Sequence, residues 1–126
     1  MTFPFSPHRG LIVVGAEVEG PLRSVALRLA LDTGATRSVI SKDLLVAAGY
    51  DPAHAPHRTR ITAGTGVAIV PWLPVARLKA LGQERLAFPV LCHNLPSTVV
   101  DGLLGLDFLR GLCLTIDFRN GAITLA

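Results

Sequence analysis

The octapeptide Leu29-Ala30-Leu31-Asp32-Thr33-Gly34-Ala35-Thr36 constrains this chain more than any other stretch. Three apolar residues run straight into a carboxylate, a hydroxyl and a glycine. No Lys or Arg stands beside Asp32. Its charge at the end of an apolar strand is costly to bury unless it is paired, bound to a cation or used for chemistry. From Val25 to Leu31 the odd positions are Val25, Leu27, Leu29 and Leu31, with Arg28 on the opposite face. This period-two pattern predicts a strand that delivers Asp32 at its end. Gly34 then permits a tight turn, and the small Ala35 lets a second loop or a ligand approach closely.

The rest of the chain reads as mostly β with one or two short helices. Residues 1–10, with Pro4, Pro7 and Gly10, are expected to form a loose N-terminal arm ahead of a single domain over 11–126. Leu11 to Val18 predicts a strand, Arg37 to Ile40 a short one. Ser41 caps a helix over Lys42 to Ala48 that stops at Gly49. Arg58 to Ile61 and Val67 to Val70 flank a small-residue tip, Thr62-Ala63-Gly64-Thr65-Gly66, that suits a mobile hairpin. Val75 to Leu81 and Arg85 to Cys92 form a further hairpin around Gly82-Gln83. Val99-Val100 and Leu103-Leu104-Gly105 make a short apolar segment, and Leu106 to Arg110 one or two helical turns. Cys113 to Phe118 and Ala122 to Leu125 close on Asn120-Gly121, a type I′ turn signal.

Composition narrows the classes. At 126 residues the chain is one domain, and with half its residues apolar and only 17% charged it is not disordered. That apolar content is high for so short a chain and points to surface covered by a partner. No stretch approaches the roughly 20 apolar residues that span a bilayer, so a cytoplasmic location is the default. The net charge of +3 is scattered except near Arg58 and Arg60, which is too thin a patch to indicate nucleic acid. Cys92 and Cys113 lack metal-ligand spacing and read as two buried thiols; a nucleophilic Cys92 is disfavoured because the adjacent His93 faces the other way along a strand. His54-x-x-His57 lies in a proline-flanked loop with no third ligand near in sequence, so neither a metal nor another cofactor is expected.

The octapeptide and the later Val100-Asp101-Gly102-Leu103-Leu104-Gly105-Leu106-Asp107-Phe108-Leu109 resemble, in order and spacing, two motifs of the retropepsin-like aspartic proteases. The likeness runs from about Leu11 to Leu125, and it is nearest to bacterial single-domain members and to the retropepsin domain of DNA-damage-inducible ubiquitin-shuttle proteins. It implies an all-β, closed or partly open acid-protease barrel that works as a homodimer on protein or peptide substrates. Asp32 takes the place of the catalytic residue, with Thr33, Gly34 and Ala35 as the active-site loop. Ala63, Gly64, Thr65 and Gly66 take the place of the flap, and Leu103, Leu104 and Gly105 that of the support behind the loop. In this family two carboxylates share one proton, because like charges held close cannot both ionise easily. One copy of Asp-Thr-Gly per chain then requires a second chain.

The chain departs from viral members where Thr36 and Arg37 replace a pair of acids and Leu106 replaces an arginine. Asp107 is expected to bond instead to the backbone of residues 36–38. Asp101 reads as a turn residue, Asp117 as an exposed position of the last hairpin, and Trp72, between Pro71 and Pro74, as a packing residue. Two other functions compete. A catalytically silent dimer would keep the groove only for peptide binding. An actin-like or sugar-kinase ATPase would use Asp32-Thr33-Gly34-Ala35-Thr36 as a phosphate loop, but it needs two large lobes for which this chain has no room.

Overall fold

Strand β3 (Ser24–Leu31) is the axis on which the molecule is built, and its neighbours are set by the apolar alternation that Val25 to Leu31 carries. In the computed structural model, which describes residues 1–63, 66–96 and 99–126, β3 pairs on one side with β2 (Val13–Glu19), antiparallel. On its other side lies β8 (Gly102–Leu104), parallel, so that Leu29, Ala30 and Leu31 face Gly102, Leu103 and Leu104. β8 in turn pairs with the short β4 (Val39–Ile40), which runs alongside β7 (Gln83–Cys92). Between β7 and the edge strand β5 (His57–Ala63) comes β6 (Gly66–Ala80).

Residues Arg77 to Ala80 of β6 also pair with β2, from Glu19 back to Ala16. That contact closes β2, β3, β8, β4, β7 and β6 into a six-stranded barrel, and closure removes the unpaired edges of all but β5. Leu27, Leu29, Val75, Leu78, Val90, Leu104 and Phe108 fill the barrel and are buried. Phe88 meets Phe108 edge to face at 5.8 Å. Helix α1 (Lys42–Ala48) begins at Ser41, whose Oγ accepts the Leu44 N–H, and ends at Gly49 with φ +106°, as its sequence predicts. Helix α2 (Leu106–Leu109) follows β8 directly. Among the described residues no helix is long and apolar enough to cross a membrane.

Several local expectations are corrected. The N-terminal arm is not loose at its start. Thr2–Pro4 forms β1, which pairs with β10 (Ala122–Leu125), itself paired to β9 (Leu114–Asp117), and Phe5 is buried. The two strands expected around Pro71 and Pro74 are one 15-residue strand, β6. Proline fits there because Pro74 stands opposite Pro89, so neither lacks a partner it could have served, and because β6 exchanges β5 for β7 near Trp72. The strand expected over 37–40 is only Val39–Ile40.

The two-residue turn with positive φ at both positions is Leu81-Gly82 (φ +52° and +69°), between Ala80 and Gln83, and not Asn120-Gly121. At the latter site only Gly121 has positive φ (+68°), and four residues separate Asp117 from Ala122. Asp117 organises that loop by accepting the N–H groups of Arg119 and Asn120 and the Asn120 side-chain amide. Its carboxyl is held below the usual carboxylate range, first by the Asn120 backbone and then by the Asn120 side chain.

The thiols also differ from each other. Cys113, just ahead of β9, is exposed, whereas Cys92 is buried. Burial pushes the Cys92 thiol up to about 11, against a weaker opposing effect of the Leu73 backbone. A thiol so held is protonated near neutral pH and is a poor nucleophile.

Candidate active site

Asp32 leaves the end of β3 with its backbone tied on both sides. Leu31 donates to the Ile12 carbonyl at 2.8 Å, and Asp32 donates to the Leu104 carbonyl at 3.0 Å. Its carboxylate Oδ1 accepts the Gly34 N–H at 2.9 Å, and its carbonyl accepts the Ala35 N–H at 3.2 Å. The side chain is half-buried while Thr33 and Gly34 are exposed, so the acid sits at the mouth of the barrel rather than inside it. No described cation pairs with it within salt-bridge distance.

The end of β8 and the start of α2 touch the loop through backbone groups. Leu104 supplies the carbonyl just described, and Leu106 donates to the Ala35 carbonyl at 2.8 Å. Gly105 is where the two segments touch. A Cβ there would lie 2.8 Å from the Ala35 oxygen and 2.9 Å from the Arg37 oxygen. Gly102 is tighter still, because a Cβ would lie 2.0 Å from the Val39 oxygen. Asp101 is more than a turn residue. Its Oδ2 and its N–H bond to the Arg28 N–H and carbonyl, and its own carbonyl accepts the Ser41 N–H.

One residue essential to this arrangement escaped the sequence reading. Ser38 is fully buried; its Oγ accepts the Gly105 N–H at 3.0 Å and donates to Asp107 Oδ1 at 2.8 Å. The Ser38 N–H donates to both Asp107 oxygens at 3.0 Å, the expected bond from Asp107 to the 36–38 backbone. Asp107 also accepts the Phe108 N–H at 2.9 Å. The only signal available was an acid at position 107 without a basic neighbour. Asp107→Ala removes all these acceptors and strands a buried N–H and hydroxyl. A loss of about 2–4 kcal/mol is expected in a chemical denaturation midpoint, and an unchanged midpoint would reject this role.

In front of the loop, a cavity of about 430 Å³ is bounded by residues 34–37 on one side and residues 59–62 of β5 on the other. Its floor belongs to a second small apolar cluster around Val39, Val70 and Leu91, packed with Ile61, Trp72, Leu95 and Leu103. Trp72 is a packing residue there, as expected. Its ring stacks on His57 at 4.1 Å and carries the Arg37 guanidinium 5.3 Å from its centroid. His54 instead meets Asp51, 2.7 Å from Nδ1 to Oδ2, so the two imidazoles of His54-x-x-His57 have separate partners. The β5–β6 hairpin overhangs this cavity and closes on the pair Ala63 and Gly66; Gly64 and Thr65 of the expected flap lie outside the described residues.

The sequence model of a family described as aspartyl protease matches residues 14–108, which spans the Asp32 loop, the hairpin and the β8–α2 segment. The fold is similar to that of a retropepsin-like aspartic protease from Rickettsia conorii, with a TM-score of 0.75 and 17% identity over 99% of this chain and 88% of that one. No curated protein sequence matches the chain at a significant level. With its Asp-Thr-Gly loop carried on a retropepsin-like barrel, the chain belongs to the aspartyl protease family.

Proposed function

We propose that the protein is an aspartic endopeptidase whose site is completed by a second copy of the chain. The observation that carries this reading is the position of Asp32. A fixed loop holds the carboxylate at an open barrel mouth, bonded to Gly34 and unpaired with any described cation. One such loop per chain supplies half of a two-carboxylate centre, and a two-fold axis supplies the other half. Leu11 (45% exposed) leaves apolar surface next to Ile12, whose carbonyl meets the end of β3, and a second copy would cover it.

In this reading one Asp32 carboxylate takes a proton from a water as that water attacks the scissile carbonyl. The protonated Asp32 of the other copy donates to the carbonyl oxygen. The first carboxyl then passes its proton to the leaving amine as the gem-diol collapses, and one gem-diol hydroxyl returns its proton to the second carboxylate. Thr33 braces the two loops, while Gly34 and Ala35 offer backbone groups to an extended substrate. Ala63, Gly64, Thr65 and Gly66 act as the flap that closes over the substrate. The peptide lies along the cleft with alternate side chains in pockets.

The test pairs mass with turnover. Cleavage of a denatured protein is followed across a dilution series, and solution mass is measured at each concentration. Activity per chain is expected to fall together with the two-chain species. Full activity from a single chain would overturn the shared site, and a stable two-chain species that cleaves nothing would favour the silent peptide-binding module.

A further inference from the structure

The walls of the cleft carry an uncompensated charge. Arg37 and Arg60 line the cavity beside the Asp32 loop together with His93. His93 also lines a neighbouring cavity of about 480 Å³, where Lys42 and Arg58 join it. Among the described residues no Asp or Glu lines either cavity. Seven of the nine acids are engaged elsewhere: Glu17, Glu19 and Glu84 surround Arg77, Asp51 meets His54, and Asp101, Asp107 and Asp117 are used by backbone groups, which leaves Asp32 and Asp43, neither in a described ion pair. Among the described residues no ion pair involves Arg37, Arg58, Arg60 or Lys42. Arg37 rests on Trp72, and the Arg58 guanidinium donates to the Ala53 carbonyl at 3.2 Å.

The floor between these cations is apolar, formed by Val39, Leu91 and Leu103. A bare phosphate backbone gains nothing from such a floor, whereas a peptide that alternates apolar and acidic side chains satisfies both. We propose that the cleft selects extended peptides with a carboxylate side chain flanking an apolar one: the apolar side chain fills the pocket, and the carboxylate meets Arg37 and Arg60 at its rim. This substrate class rests on the endopeptidase reading.

The test separates the two ideas by measuring binding without turnover. Fluorescein-labelled peptides with one apolar centre, flanked by Glu, Gln or Lys, are titrated with Asp32→Asn protein at low ionic strength, and anisotropy gives Kd. The Glu peptide is expected to bind about tenfold tighter than the Gln peptide, with the Lys peptide weakest, and added salt should shrink the difference. Arg60 is exposed, so Arg60→Gln tests its contribution without disturbing the core, and it should lower the Glu-to-Gln ratio. Arg37→Gln combined with it should bring the ratio near one. Equal Kd values for the Glu and Gln peptides would overturn the proposal whatever the wild-type protein does to peptide bonds. Displacement of the Glu peptide by an equal concentration of single-stranded oligonucleotide would overturn it in favour of a general polyanion surface. Absence of cleavage by wild-type protein, with the Glu preference intact, would overturn the endopeptidase reading alone.

Discussion

Asp32→Asn is expected to abolish peptide-bond hydrolysis while leaving the fold in place. Removing a group that transfers a proton in the transition state costs roughly 10²–10⁴ in rate, and a pair acting as one unit sits at the upper end of that range. The fold should tolerate the change because Asn keeps an oxygen that can accept the Gly34 N–H, now 2.9 Å from Asp32 Oδ1. The backbone bond from Asp32 to Leu104 does not involve the side chain at all. A denaturation midpoint within about 1 kcal/mol of wild type is the companion measurement. Mixing gives a sharper outcome. If each site takes one carboxylate from each chain, equal amounts of wild-type and Asp32→Asn protein, allowed to exchange, leave only about a quarter of the pairs intact. Residual activity of one half would mean that each chain works alone.

Among the described glycines, Gly102→Ala introduces the closest clash with backbone, and a large loss of stability is expected. The new Cβ would lie 2.0 Å from the Val39 oxygen and 2.9 Å from its carbonyl carbon, both backbone atoms that cannot rotate away. Relief requires β4 to retreat from β8, which breaks the pairing of Val39 with Leu103 and of Ile40 with Gly102. A cost of about 4 kcal/mol or more is a large share of the roughly 5–15 kcal/mol that holds a domain together. The variant should therefore lose cooperative unfolding or populate the unfolded state without denaturant. Gly15→Ala is the matched control. It lies in β2 with open space around the new Cβ, and its midpoint should stay at or slightly above that of wild type. A Gly102→Ala protein that unfolds at the wild-type midpoint would mean that β8 is not wedged between β3 and β4.

What could be read from the sequence was local. Helix α1 was legible to the residue because its start and stop are written in neighbours, Ser41 and Gly49. β3 was legible because four alternating apolar positions lead into Asp32. β1 was not, because Thr2-Phe3-Pro4 is too short to show a period and its partner, Ala122–Leu125, lies at the far end of the chain. The continuity of β6 was hidden by Pro71 and Pro74, which break a strand unless the register happens to excuse them, and only pairing reveals that register. Asn120-Gly121 is the better type I′ dipeptide, yet Leu81-Gly82 adopts those angles, because Leu81 is buried and packing outweighs local preference there. At the site, the Asp32 loop and the Leu103 to Gly105 segment stood out through their motifs. Ser38 could not, since a serine becomes informative only once the fold sets Gly105 and Asp107 against it.

The wedging of β8 between β3 and β4 has a consequence for synthesis. The loop around Asp32 leaves the ribosome early, but the segment that locks it, from Gly102 to Asp107, emerges some 70 residues later. Until then β3 has an open flank and Ser38 has no acceptor for its N–H. A nascent or truncated chain that stops short of Gly102 therefore cannot hold Asp32 in its final geometry.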